Sequence, residues 1–365
     1  MSLVVKNLAQ GVEVTTPTRY ARGWHCVGLA KNFQDGKPHP LDIFGTTLVV
    51  FRAESGQIHV LDGFCPHMGA SLGGGRVVGD TLACPFHDWR WGGDGRCKQI
   101  PYAKHIPIKA RVKSWPVMEQ CGMLFVYHDP EENPPPPEVA IPPIQAILSG
   151  ETTDWNWETL PMPGVERELV DNLADAPHFY AVHKTCSVHF ENIFEKHVAV
   201  QITRQRARDD LSGNEPGAFS ADTTLEIKTT RYGPAYLISE YIVDYKGVAF
   251  ETYLVLAHYP VTPGTWNLHV GVCAKKVGGF DNDKMAAVID QFSQENRASL
   301  LQDVEIWQTK KPIDHPVLCE GDGPVYQLRR WYDQFFCNVN EIEPDMVRRF
   351  ERVTNTDSQF NWGKM

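Results

Sequence analysis

The chain has 365 residues, 42% of them apolar, which is long for one hydrophobic core and comfortable for two. Its formal net charge is -10, from 35 Lys plus Arg against 45 Asp plus Glu, and no basic stripe interrupts that balance, so nucleic acid is excluded as a partner. No run approaches the roughly 20 apolar residues needed to cross a bilayer. The start also lacks a basic segment followed by an apolar run and a small-residue cleavage site, so a cytoplasmic protein with no membrane span is expected.

The first 130 residues read as strands and turns. TTLVVFRA (Thr46 to Ala53), QIHVLDGF (Gln57 to Phe64) and GMLFVYH (Gly122 to His128) have strand composition, and Ser55-Gly56 marks a turn. Glycines crowd between Gly69 and Gly95, a density that fits tight loops folded around something small. DPEENPPPPEVAIPPI follows, and its four consecutive prolines forbid helix and favour a stiff, extended connection. These features divide the chain into a first domain over 1–130, a proline-rich linker over 131–150 and a second domain over 151–365.

In the second domain, Glu166 to Lys184 has helical periodicity broken near Pro177. Between Val198 and Val272 come TTLEIKTT, AYLISEYIV, ETYLVLAHYPV and TWNLHVGVCA, strands of a broad antiparallel sheet. Asp283 to Trp307 is the strongest helix, with Asp281 or Asp283 as its cap. The basic stretches at 204–208 and Arg329-Arg330 read as solvated surface.

Nine cysteines, an odd number without a secretion signal, argue against a disulfide framework. Two have metal-ligand spacing, and the other seven read as buried apolar fillers. Cys65-Pro66-His67 and Cys84-Pro85-Phe86-His87 form a C-x-H pair and a C-x-x-H pair. Two thiolates and two imidazoles suit a zinc ion, or a two-iron, two-sulfur cluster with both Cys on one iron and both His on the other. The setting favours the cluster, because finger-type zinc sites place their His pair on a helix and these loops are glycine-rich. Imidazole ligands raise the reduction potential, so such a centre accepts electrons from an upstream donor.

A second constellation lies in DNLADAPHFYAVH, with Asn172, Asp175, His178 and His183. The histidines are at i, i+5, off the i, i+4 spacing of one helix face, so both point inward only if the helix is distorted. Two His and a carboxylate form a facial set that leaves positions open on iron. On residue type alone the carboxylate is Asp281, Asp283, Asp290, Asp303 or Glu305. His189 reads as a surface histidine.

CPHMGASLGGG with CPFHDWRWGGDGRC, then DNLADAPHFYAVH, DVEIW and CEGDGPVYQLRRWYDQFF, together resemble the oxygenase subunits of Rieske non-heme iron oxygenases. The 3-ketosteroid 9α-hydroxylase group is the best match, over nearly the whole chain. The resemblance implies an α+β architecture: an N-terminal Rieske domain of antiparallel sheets and a helix-grip-like catalytic domain with a broad antiparallel sheet and flanking helices. It implies that Cys65, His67, Cys84 and His87 hold a [2Fe–2S] cluster and that His178, His183 and Asp303 hold a mononuclear Fe(II). Asp175 would carry an electron between the centres, and Asn172 would lie near the iron without being a firm ligand. Ala176-Pro177 departs from the family pattern beside the first iron-binding histidine, which implies a different pocket wall.

The implied activity is insertion of one oxygen atom from O2 into a C–H bond of a steroid-like substrate. Electrons would come from a separate NAD(P)H-dependent flavin and iron–sulfur reductase, since no G-x-G-x-x-G nucleotide motif occurs here. A head-to-tail homotrimer is implied as well. Competing readings are a sterol desaturase, demethylase or arene hydroxylase on the same architecture, a Rieske-type electron carrier, and a structural zinc protein.

Overall fold

The computed structural model describes residues 19–207, 224–245, 248–279 and 281–354. Its N-terminal part is built from three small antiparallel sheets. Gly23–Leu29 pairs with Met123–His128, which pairs with Val117–Gln120. His39–Ile43, Thr46–Arg52, Ile58–Asp62 and Ser114–Trp115 form a second sheet. Arg76–Val78, Thr81–Ala83, Arg90–Gly92 and Cys97–Gln99 form the third. The strands expected at Thr46, Gln57 and Gly122 are all present, shortened by a residue or two at their ends.

The C-terminal part is one eight-stranded antiparallel sheet. Its order is Asn156–Pro163, Thr265–Ala274, Val248–Thr262, Tyr236–Tyr245, Thr224–Tyr232, Val198–Ala207, Thr185–Glu195 and Phe350–Val353. The helix expected from Asp283 runs as Asn282–Thr309, and Asp281 is its cap, accepting from the Lys284 amide at 2.9 Å. A second helix, Val325–Asp333, was not expected from periodicity. It buries Val325, Leu328, Trp331 and Tyr332 against Val170, Leu173 and Leu237.

Burial along Thr265–Ala274 is nearly continuous because this strand is covered on both faces. Leu268 and Val270 pack with Leu169, Leu300 and Val304 beneath the long helix. On the other face, Cys273 joins Tyr253, Val255 and Ala257 in a core shared with Trp24, Phe125 and Tyr127 of the N-terminal part. The two parts also share backbone bonds, Phe44 N–H to Pro260 carbonyl at 3.0 Å and Gly45 N–H to Val261 carbonyl at 2.9 Å. The proline-rich stretch is pinned to that same core by Ile141 and Ala146.

Three expectations are corrected. Arg329 is not solvated surface: its side chain is only 15% exposed and forks onto the Asp171 carboxylate at 3.0 and 2.6 Å. Not every remaining cysteine is a buried filler, since Cys319 is exposed and Cys186 and Cys337 are half-buried. Residues 166–184 are not one broken helix but two short ones, Arg167–Asp171 and Pro177–Ala181, and Pro177 starts the second where its missing N–H costs nothing.

Candidate metal centres

The two Cys–His loops sit at one end of the third small sheet and repeat each other in hydrogen bonding. The Cys65 amide donates to the Ala70 carbonyl and Gly69 N–H returns to the Cys65 carbonyl, both at 2.8 Å. In the second loop, the Cys84 amide donates to the Trp89 carbonyl at 2.9 Å and Asp88 N–H to the Cys84 carbonyl at 3.1 Å. Gly75 lets the loops approach, since a Cβ there would stand 2.2 Å from the Ala83 carbonyl oxygen, next to Cys84. Asp88 takes φ +56°, and its carboxylate engages Arg76 and Arg90.

Cys65 and Cys84 are buried, and the rings of His67 and His87 stand 4.8 Å apart at 75°. His67 stacks on Trp89 at 4.4 Å, and the Trp89 indole N–H donates to the Tyr102 hydroxyl at 2.7 Å. Burial, with Cys84 as a near neighbour, pushes the Cys65 thiol up to about 11, a proton that metal binding would displace. The Nδ1 atom of His87 is buried with no hydrogen-bond partner, as a ligand atom stripped of its metal would be. Among the described residues, the one trio whose ligand atoms all lie within 4.8 Å of one another is elsewhere. At the loops, Cys65 neighbours Cys84 and the His67 ring neighbours the His87 ring, the grouping of thiolates and of imidazoles that a two-iron cluster uses. The donor set therefore fits the cluster better than zinc.

That trio is His178, His183 and Asp303. The helix Pro177–Ala181 carries His178 and closes its last turn with the Val182 amide on the His178 carbonyl at 2.7 Å. His183 lies past this end, just before Lys184 turns the chain at φ +61° into the strand Thr185–Glu195. Leaving the helix is the distortion that the i, i+5 spacing requires, and it brings the two rings to 5.1 Å at 80°. Asp303 comes from the long helix. It is buried, with a carboxylate oxygen 3.3 Å from His183 Nε2, while Asp281, Asp283, Asp290 and Glu305 are exposed.

Both histidines have Nδ1 engaged by protein oxygens. His178 Nδ1 donates to the Asp175 carbonyl, and His183 Nδ1 meets Ser299 Oγ at 3.0 Å and Gln302 Oε1 at 3.3 Å. Such partners fix the ring and its tautomer and leave Nε2 for a metal. Burial holds the His178 imidazole below its ordinary value, which keeps it neutral as a metal ligand must be. Ser299 and Gln302 escaped sequence reasoning. The available signal was spacing, since Ser299 is one helical turn before Asp303.

Asp175 accepts from the His178 amide at 3.3 Å, and its side chain remains 45% exposed. Asn172 follows the helix Arg167–Asp171 and is tied through its carbonyl to Gln201 at 3.4 Å, a contact that does not involve its side chain. His189 is half-buried and paired with Glu191 at 3.1 Å, and it is not one of the trio.

Residues 23–116 match the Rieske [2Fe-2S] domain family, and residues 126–336 match the 3-ketosteroid 9alpha-hydroxylase C-terminal domain family. A 3-ketosteroid-9-alpha-monooxygenase oxygenase component of Rhodococcus rhodochrous is 45% identical, across 95% of this chain and 90% of its own length. A protein of the same description from Mycolicibacterium smegmatis is 47% identical, across 93% of this chain and 88% of its own. Among solved structures, Pseudomonas putida CBB5 NdmA with caffeine superimposes at a TM-score of 0.68 and 17% identity, covering 93% of this chain and 98% of that one, a likeness of fold.

Proposed function

This chain belongs to the 3-ketosteroid 9α-hydroxylase family of Rieske non-heme iron oxygenase components, and on that premise we propose that it hydroxylates a 3-ketosteroid at the 9α C–H bond. In this reading Cys65, His67, Cys84 and His87 hold the [2Fe–2S] cluster, and His178, His183 and Asp303 hold the mononuclear Fe(II). When bound, the cluster supplies single electrons and the iron supplies open positions for O2 beside the substrate. The observation that carries the reading is the convergence of His178, His183 and Asp303, with both Nδ1 atoms already taken by protein oxygens.

The chain's own residues do the rest. The Asp175 carbonyl and Ser299 orient the two imidazoles, and the buried Asp303 carboxylate offsets positive charge at the site. Leu169, Trp266, Leu300 and Val304 pack in the core beneath the long helix and so fix the position of the Asp303 carboxylate. Burial of a fused-ring substrate would contribute roughly 25 cal/mol per Å² before ordering costs. In the same reading the Asp175 carboxylate contacts a second subunit and links the centres, which its half-exposed side chain supports. An apolar collar of Phe64, Met68, Phe86 and Tyr102, each more than half exposed, surrounds the cluster loops and supports docking of one copy on the next in a homotrimer.

Electrons come from a separate NAD(P)H-dependent flavin and iron–sulfur reductase. No helix of the described residues is long and apolar enough to cross a membrane, and we place the protein in the cytoplasm. The domain division follows the same reading, with the Rieske domain over 1–130, the linker over 131–150 and the catalytic domain over 151–365. The test is turnover with a generic reductase, NADH, isotopically labelled O2 and a panel of steroids, arenes and quaternary amines. A steroid product carrying one labelled oxygen, and none without reductase, is expected. Turnover of arenes or amines with no steroid bound would overturn the substrate assignment.

A further inference from the structure

The late stretch CEGDGPVYQLRRWYDQFF has no part in either metal set, yet it lies against the turn that carries one of them. After the long helix ends at Thr309, the chain runs back across the helix Arg167–Asp171 before entering Val325–Asp333. Lys310 pairs with Glu168 at 2.5 Å and Asp314 with Arg167 at 2.8 Å. Arg329 holds both sides at once. Its Nη1 donates to the Ile313 and Asp314 carbonyls at 2.6 and 3.0 Å, while Nε and Nη2 take the Asp171 carboxylate.

The closest contact is at Gly323. A Cβ there would stand 1.9 Å from the Ala174 carbonyl oxygen and 3.3 Å from the Phe190 ring. Its φ lies outside the left-handed region, so the constraint is space and not backbone conformation. Ala174 sits between two fixed points. The Leu173 carbonyl is held from the sheet by Asn192 and Gln201 at 2.7 and 2.8 Å, and the Asp175 carbonyl holds His178 Nδ1. A methyl group at 323 must displace either the Ala174 carbonyl or the strap, and displacing the former moves the atom that orients His178.

We infer that 310–333 is a brace for the turn Asn172–Asp175, and that Gly323 and Arg329 are positioning residues for the mononuclear metal. The inference rests on the assignment of His178, His183 and Asp303 as its ligands. The test uses protein with its cluster intact and the mononuclear metal removed, titrated with Co(II) and followed by visible absorption. Loss of an outer partner of a metal ligand typically weakens metal binding about 10–100-fold, and Gly323→Ala is expected within that range. Because the clash is with backbone, its thermal midpoint should fall, but the protein should stay folded and its reduced-cluster paramagnetic resonance near wild type. Gly264→Ala, where a Cβ would meet nothing, should bind Co(II) as wild type does.

Arg329→Gln removes the fork without adding bulk and should weaken Co(II) in the same direction. Wild-type affinity in both variants overturns the brace. So does loss of cluster, fold and Co(II) together in both, which would make the stretch a general folding element. Absence of Co(II) binding by the unmodified protein, or wild-type binding by His178→Ala, would instead sink the ligand assignment beneath it.

Discussion

The two Cys–His loops draw their four side chains from one short stretch, Cys65 to His87, while the trio of His178, His183 and Asp303 joins residues far apart in the sequence. The first site is shaped by local backbone: two matching turns, a glycine where the loops touch and a stacked Trp89. The second is shaped by packing, since Asp303 reaches His183 only because the long helix lies across the sheet on Leu268 and Val270. A locally built site tolerates changes elsewhere in the chain. A site assembled from distant elements depends on whatever sets their relative position.

The largest expected effect that separates the two regions comes from Asp303→Ala. Removing a ligand should cost more than the roughly 100-fold upper range of an outer-partner loss. Mononuclear iron and turnover should both go, while the reduced-cluster spectrum stays. A variant that keeps its iron and its rate would dissolve the second site altogether. His87→Ala is the mirror experiment. The cluster signal should disappear and turnover with it, while Co(II) still binds at the trio, because the cluster loops share no side chain with that site. An unchanged spectrum with full iron content would reject the cluster assignment.

Asp175→Asn tests the link between the regions. Both metals and the cluster spectrum should persist, since His178 is held through the Asp175 backbone carbonyl, which the substitution leaves in place. Turnover should fall about 10–100-fold. Rapid mixing of pre-reduced protein with substrate and O2 should show slowed cluster reoxidation. Reoxidation and product formation at the wild-type rate would remove Asp175 from the electron path.

A final effect, on stability and not on either metal site, concerns the junction of the two parts. Burial pulls His25 down to about 3 and His128 and His269 to about 4. Above pH about 6.5 these groups are neutral in folded and unfolded chains alike, and stability is undiminished. As pH falls from there toward 4, the unfolded chain takes up protons that the folded chain refuses. Stability is therefore lost, by about 1.4 kcal/mol per pH unit for each group. The urea midpoint should drop between pH 7 and pH 5. An unchanged midpoint would mean that these histidines are not buried neutral in solution.

The sequence by itself determined the two Cys–His turns, because turn chemistry and residue spacing are local properties that glycine, proline and residue order encode directly. It also determined the long helix, narrowed its cap to Asp281 or Asp283, and marked four of the eight strands of the broad sheet, through periodicity and capping. It found the His178 and His183 pair but not how the i, i+5 spacing works, since a helix that stops at Val182 is decided by the strand it must join. Residue type alone left Asp303 level with Asp290 and Glu305; the family resemblance singled it out, and the tertiary structure supplies the physical difference, its burial. Only the structure turned Arg329 from a surface cation into the fork on Asp171, because the two lie far apart in the chain and meet through the packing of two helices. Contacts between residues distant in sequence carry no local pattern, and the packing of apolar faces alone decides which of several equivalent side chains meet.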